Sequence, residues 1–190
     1  MAGLDEAGRG TWAGPVVAAA VVLPAGDPDL LAHLDGVRDS KLLTPTRREE
    51  LLARILEHAL AWGVGVVPSG IIDREGIVAA TRQAMRQALE GLNPPAEALL
   101  IDHLRLPAVD LPQHSLPHGD ALVLSIAAAS IVAKVYRDRL LQTCDRCCPG
   151  YGFARHKGYG TPQHRAALRE LGPCALHRFS FAPLREMVEK

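Results

Sequence analysis

The nine residues 15–23, PVVAAAVVL, carry no polar side chain. The run is rich in Val and closes on the turn signal Pro24-Ala25-Gly26. It reads as a buried strand, and such a strand belongs to a sheet covered by apolar layers. Other segments supply the sheet and its cover. Residues 2–5 read as a short strand ending at a charged pair, 62–67 (WGVGVV) and 98–102 (ALLID) as further strands, with one more short strand near His114. Residues 45–61 read as a helix: Thr44 is a cap, Pro45 suits the first turn, and Leu51, Leu52, Ile55, Leu56 and Leu60 form one face. A second helix covers 77–92, with Ile77, Thr81, Met85, Ala88 and Leu92 apolar, and stops at Asn93-Pro94-Pro95. An Ala-rich helix spans about 124–147. Thr161-Pro162 opens a last helix to about Leu171, which ends at Gly172-Pro173. Residues 103–120 read as irregular connection, and 149–160 as Gly- and aromatic-rich loop. The first strands look like a hairpin rather than a βαβ unit. The expected fold is α/β, a mixed sheet flanked by helices with a small helical C-terminal part. The expected division is 1–148 for the main domain and 149–190 for a basic, substrate-binding segment packed on it.

The 190 residues suit one ordinary domain, and an aromatic content of only 4% makes its core aliphatic. Formal net charge is zero, which by itself argues against a nucleic-acid binder. The distribution answers that objection. Residues 151–190 hold 7 bases against 3 acids, whereas residues 1–100 hold 13 acids against 9 bases. An acidic region beside a basic one suits a nuclease that holds cations and also grips phosphate. Cys144-x-x-Cys147 is compatible with zinc, but only Cys148 and Cys174 remain as partners, so reduced thiols are the expectation. The first residues are charged where a signal peptide needs apolar ones, and the 15–23 run is too short to span a bilayer. A cytoplasmic monomer is expected.

The stretch Asp5-Glu6-Ala7-Gly8-Arg9-Gly10 is the most informative for chemistry. Adjacent side chains of a regular strand point to opposite faces, so both acids reach one site only if the backbone bends. Alone, the pair also reads as a surface pair capping a turn. Asp102 ends the apolar strand ALLID, at a sheet edge where α/β proteins commonly bind ligands. Asp120 lies at the entry to the Ala-rich helix and can equally be a cap. Phosphodiester hydrolysis gives four such acids a reason to meet. Two divalent ions roughly 3.5–4 Å apart activate a water on one side and stabilise the leaving oxygen on the other. An all-carboxylate site fits hard ions such as Mg²⁺ or Mn²⁺.

DEAGRG, AGPVVAAAVVL, Asp39-Ser40-Lys41-Leu42, LLID, His118-Gly119-Asp120, Ser125 to Lys134, the 151–161 stretch YGFARHKGYGT and Arg178 to Pro183 follow one another in an order that resembles ribonuclease HII over residues 2 to about 185. The resemblance implies a ribonuclease H-like fold and four metal-site acids matching Asp5, Glu6, Asp102 and Asp120. It implies cleavage of RNA in RNA/DNA hybrids and 5′ of ribonucleotides embedded in duplex DNA, leaving 3′-hydroxyl and 5′-phosphate ends. By the same resemblance Gly8, Arg9 and Gly10 read the 2′-hydroxyl together with Tyr159; otherwise Tyr159 is a loop aromatic packing on the core. Ser40, Lys41, Ser125, Ser130, Lys134, Arg155 and Lys157 are plausible substrate contacts, with His156 and Arg178 extending the basic patch. Asp138, the main competitor for the fourth acid, lies mid-helix between Arg137 and Arg139 and reads as a helix-surface or salt-bridge residue.

The chain departs from the family pattern at Thr11-Trp12, where Pro and a small or aliphatic residue are usual. It departs also at His103 for glycine, at His118 for lysine, and at Phe179 for a basic residue. His103 and His118 are expected to flank the acids. Strand-transfer or exonuclease chemistry on a related ribonuclease H-like fold, or a catalytically idle nucleic-acid-binding module, are the competing readings.

Overall fold

The structure, a computed structural model, describes residues 1–188. Strands β1 (Ala2–Ala7), β2 (Val16–Val22), β3 (Ala61–Val67), β4 (Leu99–Asp102) and β5 (Gln113–Leu116) form one sheet in the order β3-β2-β1-β4-β5. β2 runs antiparallel to both β1 and β3, while β4 joins β1, and β5 joins β4, in parallel. Around them lie α1 (Leu30–His33), α2 (Pro45–His58), α3 (Ser69–Glu75), α4 (Ile77–Glu90), α5 (Gly119–Leu122), α6 (Leu124–Cys147), α7 (Phe153–His156), α8 (Pro162–Leu171) and α9 (Leu184–Val188). The mixed sheet flanked by helices is the one expected.

Every residue of β2 is buried, as its uninterrupted apolar run requires. Val16, Ala18, Ala20 and Val22 belong to the core under α4, and Ala19 and Val21 to the core under α2 and α6. Glycines let the helices lie directly on the sheet. A Cβ at Gly65 would stand 1.9 Å from the Ala84 carbonyl oxygen, and one at Gly63 would stand 2.1 Å from that of Ala88, so α4 rests on β3. A Cβ at Gly3 would stand 2.2 Å from the Ser125 carbonyl carbon, which brings the start of α6 across β1 beside the two acids.

A third apolar cluster, including Ala13, Leu141, Tyr151, Phe153, Leu168 and Leu184, docks the C-terminal residues on the far end of α6. Segment 11–14 threads into it: Trp12 N–H donates to Gly158 (2.9 Å), Gly14 N–H to Leu176 (2.8 Å), and Arg178 N–H to Trp12 (2.8 Å). The Trp12 ring fills the space that a Cβ on Gly160 would occupy, 2.3 Å away, and Arg165 lies over it.

Several boundaries differ from expectation. β1 continues to Ala7, so Asp5 and Glu6 lie within the strand. α2 stops at His58, because the chain must turn to start β3 at Ala61, and Leu60 is exposed rather than on the buried face. Residues 149–160 contain α7, and α1, α3, α5 and α9 were not anticipated. None of these exceeds two turns, too short for an apolar period to show. Among the described residues no helix is long and apolar enough to cross a membrane.

Candidate active site

β1 and β4 are adjacent parallel strands, so their C-terminal ends open on the same edge of the sheet. The register pairs Leu4 with Ile101, and one step further along stand Asp5 and Asp102. Asp120 reaches that edge from the first turn of α5. It does not cap the Ala-rich helix, whose N-cap is Val123. Asp102 Oδ1 accepts from Gly119 N–H at 2.8 Å and so ties α5 to β4. His103 (φ 61°) and His118 (φ 57°) flank the two acids in the left-handed conformation, and both are exposed. The glycine usual at position 103 suits such a backbone.

The acids share one electrostatic neighbourhood. Burial, and then the charges of Glu6, Asp102 and Asp120, hold the Asp5 carboxyl well above the usual range, although it accepts the Glu6 N–H at 2.7 Å. Burial raises Glu6, against the pull of Arg9, which donates to Oε1 at 3.2 Å; Asp102 adds to the rise. Glu6 Oε2 is buried with no hydrogen-bond partner. Burial and then Asp39 raise Asp120, against Lys41, whose ammonium lies 3.5 Å from Oδ2. Among the described residues no three His, Cys, Asp or Glu side chains already close around one point as an ion cage. The four carboxylates are close enough for their charges to help raise Asp5, Glu6 and Asp120.

The matching family model, Ribonuclease HII, covers residues 2–184. The chain belongs to the ribonuclease HII family. It is a ribonuclease H, an endonuclease for the RNA of RNA/DNA hybrids. It is 56% identical over 189 residues to ribonuclease HII of Chloroflexus aggregans, covering all of this chain and 89% of that one. Against ribonuclease HII of Geobacillus kaustophilus identity is 53%, over all of this chain and 70% of the relative. The structure is similar to ribonuclease H2 from Pyrococcus horikoshii, with TM-score 0.83 and 25% identity over 99% of this chain and 96% of that one. A ribonuclease HIII crystallised with Mn²⁺ shares the fold at TM-score 0.72 and 22% identity, over 99% of this chain and 68% of that one.

Residues 8–10 follow the acid pair after Ala7, Gly8 buried with φ 95° and Gly10 exposed. A cleft of about 590 Å³ lies between α2, α6 and the 155–159 segment; Arg48, Lys134, Asp138, Arg155, Lys157 and Tyr159 help to line it. Tyr159 is 45% exposed and Arg155 is exposed, both free to meet a ligand. Lys134 donates to Asp138 at 2.7 Å, with Arg48 3.5 Å from the same carboxylate, so Asp138 is an ion-pair residue as expected. Lys157 Nζ donates to the Ala154 carbonyl. Ser125 lies half-buried in the first turn of α6.

Other expected contacts are structural. Ser130 is buried, accepts from Ser40 N–H (3.2 Å) and donates to Ala127 (3.0 Å), which anchors the Ser40 turn. Ser40 is itself buried, and its carbonyl accepts from Arg48 at 2.9 Å, next to the exposed Lys41. His156 and Arg178 are buried and add nothing to a basic surface. The sequence reading missed Asp39, whose Oδ1 accepts from Lys41 N–H (2.9 Å), and the buried Arg137. A signal for Arg137 exists: it stands between buried Ala133 and Leu141 at i, i+4 and i+8 of α6.

Proposed function

We propose that the protein cuts RNA/DNA hybrids and also cuts 5′ of single ribonucleotides embedded in duplex DNA, leaving 3′-hydroxyl and 5′-phosphate ends, in ribonucleotide and RNA-primer removal. One observation carries this: acids from β1, β4 and α5 gather at one sheet edge, directly beside a glycine-flanked turn. Asp5, Glu6, Asp102 and Asp120 are the residues that would hold Mg²⁺ or Mn²⁺. The donor set fits, being all oxygen, mutually repelling, and containing the partnerless Glu6 Oε2. When bound, a pair of such ions supplies an activated water and stabilises the leaving oxygen.

The chain's own groups do the rest. Lys41 balances Asp120 and offers its exposed ammonium to phosphate. The amides of Arg9 and Gly10 approach a sugar closely because Gly10 is exposed and lacks a Cβ, and the 2′-hydroxyl is the group that marks a ribose. Tyr159, across the cleft, stacks on the neighbouring sugar or base. Arg155 and Lys157 contact phosphates, with Ser125 and the Asp138-tied Lys134 on α6 contributing less, so residues 149–190 act as the substrate-binding segment.

The test is incubation with Mg²⁺ or Mn²⁺ and a DNA duplex carrying one ribonucleotide, beside an all-DNA duplex. Cleavage of the first alone, 5′ to the ribonucleotide, is expected. Equal cleavage of both would mark a general nuclease, and binding without cleavage an idle module.

A further inference from the structure

Two fully buried guanidinium groups lie behind residues 8–15, and among the described residues neither forms an ion pair. Arg178 donates to the carbonyls of Gly8 (2.7 Å), Arg9 (2.8 Å) and Gly14 (2.9 and 3.1 Å). Arg137 donates to the carbonyls of Pro15 (2.9 Å), Ala13 (3.0 Å) and Lys157 (2.9 Å), and to the Thr11 hydroxyl (2.9 Å). Thr11 Oγ1 lies 3.1 Å from the carbonyls of both Gly8 and Ala13, so its one proton serves either. A Cβ on Gly8 would stand 2.0 Å from Arg137 Nε, so only glycine lets the guanidinium approach.

Burying charge without a counter-charge is costly, and simple stapling does not require it. Burial, and then Arg137, draw Arg178 down to about 9. The geometry explains what the charge achieves. In a planar trans peptide the C=O and the following N–H point in opposite directions. Carbonyls of Gly8 and Arg9 held inward on Arg178 therefore aim the N–H groups of Arg9 and Gly10 outward. Among the described residues those two amides donate to no carbonyl or side chain. Arg137 also joins this turn to Lys157, two residues before Tyr159, fixing the turn relative to the ring.

We infer that Arg137 and Arg178 are positioning residues for ribose recognition: by holding the carbonyls of residues 8–15 inward they point the Arg9 and Gly10 amides at the 2′-oxygen and set their spacing from Tyr159. The inference rests on reading residues 8–10 as the ribose-recognising turn.

The test compares cleavage of two duplexes that differ only in the target sugar, ribose or 2′-fluoro, because fluorine is a poor acceptor for an amide. The wild type is expected to favour ribose. Arg178→Lys keeps the charge but lacks the fixed fork that spans three carbonyls. It is expected to lower the ribose-to-fluoro ratio of kcat/KM by about tenfold, the worth of one good hydrogen bond, with affinity for all-DNA duplex within about twofold of wild type. A purely structural role would lower both rates together and leave the ratio unchanged, which would overturn the inference while the ribose-reading turn stands. A wild type with no sugar preference would overturn that reading and the inference with it. Should Arg178→Lys fail to fold, Thr11→Val decides. It removes the hydroxyl between Arg137 and the Gly8 carbonyl at nearly constant volume, and the ratio should fall roughly threefold, less than one full hydrogen bond; an unchanged ratio refutes the inference.

Discussion

A carboxyl reduced to 5% exposure beside three other acids is costly to ionise, and β1 leaves Asp5 no way out. Asparagine has the same shape and still accepts the Glu6 N–H, but carries no charge. In metal-free buffer Asp5→Asn should therefore melt higher than wild type, by about 2–4 °C for each kcal/mol of repulsion removed, while cleavage falls by roughly a hundredfold or more. A lower melting point with normal cleavage would show that the charge is neither strained nor used. Divalent cation should reverse the order. Mn²⁺ should stabilise the folded wild type by occupying a site that the unfolded chain lacks, and should leave Asp5→Asn nearly unmoved. A thermal shift titration checks this without reference to activity. Tyr159 calls for a different expectation, because its ring is 45% exposed and supports little of the core. Tyr159→Ala should leave the melting point nearly unchanged yet slow cleavage at a single embedded ribonucleotide several-fold. Unaltered cleavage would mean that the ring has no part in recognition.

The element that presents Tyr159 is held by histidines whose protonation can be deduced. The Tyr159 carbonyl can only accept, so His164 Nδ1, 2.9 Å away, carries the proton. Its Nε2 must then accept from His177 Nε2, at 3.0 Å, which leaves His177 Nδ1 to accept the Cys174 N–H at 2.9 Å. Both rings are neutral, and protonating either breaks the chain. Burial takes His164 from 6.5 down to about 4, with His156 and His177 adding to the fall against the Tyr159 carbonyl. Between those values the unfolded chain binds a proton that the folded chain refuses, so stability falls as pH drops from 6.5 towards 4. Urea melts across that range should show the loss, and His164→Gln should flatten it; an unchanged slope would remove His164 as its source. β3 gives a steric counterpart. Gly65→Ala would drive a methyl into the Ala84 carbonyl, and should destabilise by about 1–3 kcal/mol in a urea melt. Some of this was legible in the amino-acid sequence. The run 15–23 announced β2, and Thr44-Pro45 and Thr161-Pro162 announced α2 and α8, where both threonine hydroxyls accept an amide at 3.2 Å. The glycines of WGVGVV were read only as part of a strand, because their reason lies in α4. Arg137, His164 and His177 escaped notice, and Arg178 was read only as part of a basic patch, for a related reason. Their partners are mostly backbone carbonyls, up to 170 positions away, and carbonyls leave no mark in residue identity.

Zero net charge conceals two surfaces of opposite purpose, and the fold separates them. Acids collect where β1 and β4 end, while Arg155 and Lys157 stand along the cleft between α2, α6 and α7. A duplex laid across both brings its phosphates to the bases and one linkage to the acids, so the basic cleft must supply affinity that the acids oppose. That makes the number of phosphate contacts measurable. The logarithm of the binding constant falls with the logarithm of salt by about 0.9 for each phosphate neutralised on duplex DNA. Lys134 is tied to Asp138 and should add little, which leaves a few contacts from Arg155, Lys157 and Lys41 and a modest slope, near 3. Arg155→Ala and Lys157→Ala should each lower that slope by about one, without changing preference between sequences. Arg86→Ala is the control, an exposed charge on α4, which covers the sheet face opposite α6. It should leave the slope where it was. Equal losses from Arg86 and Arg155 would mean that the duplex is held by charge spread over the whole surface rather than by the cleft between α2, α6 and α7.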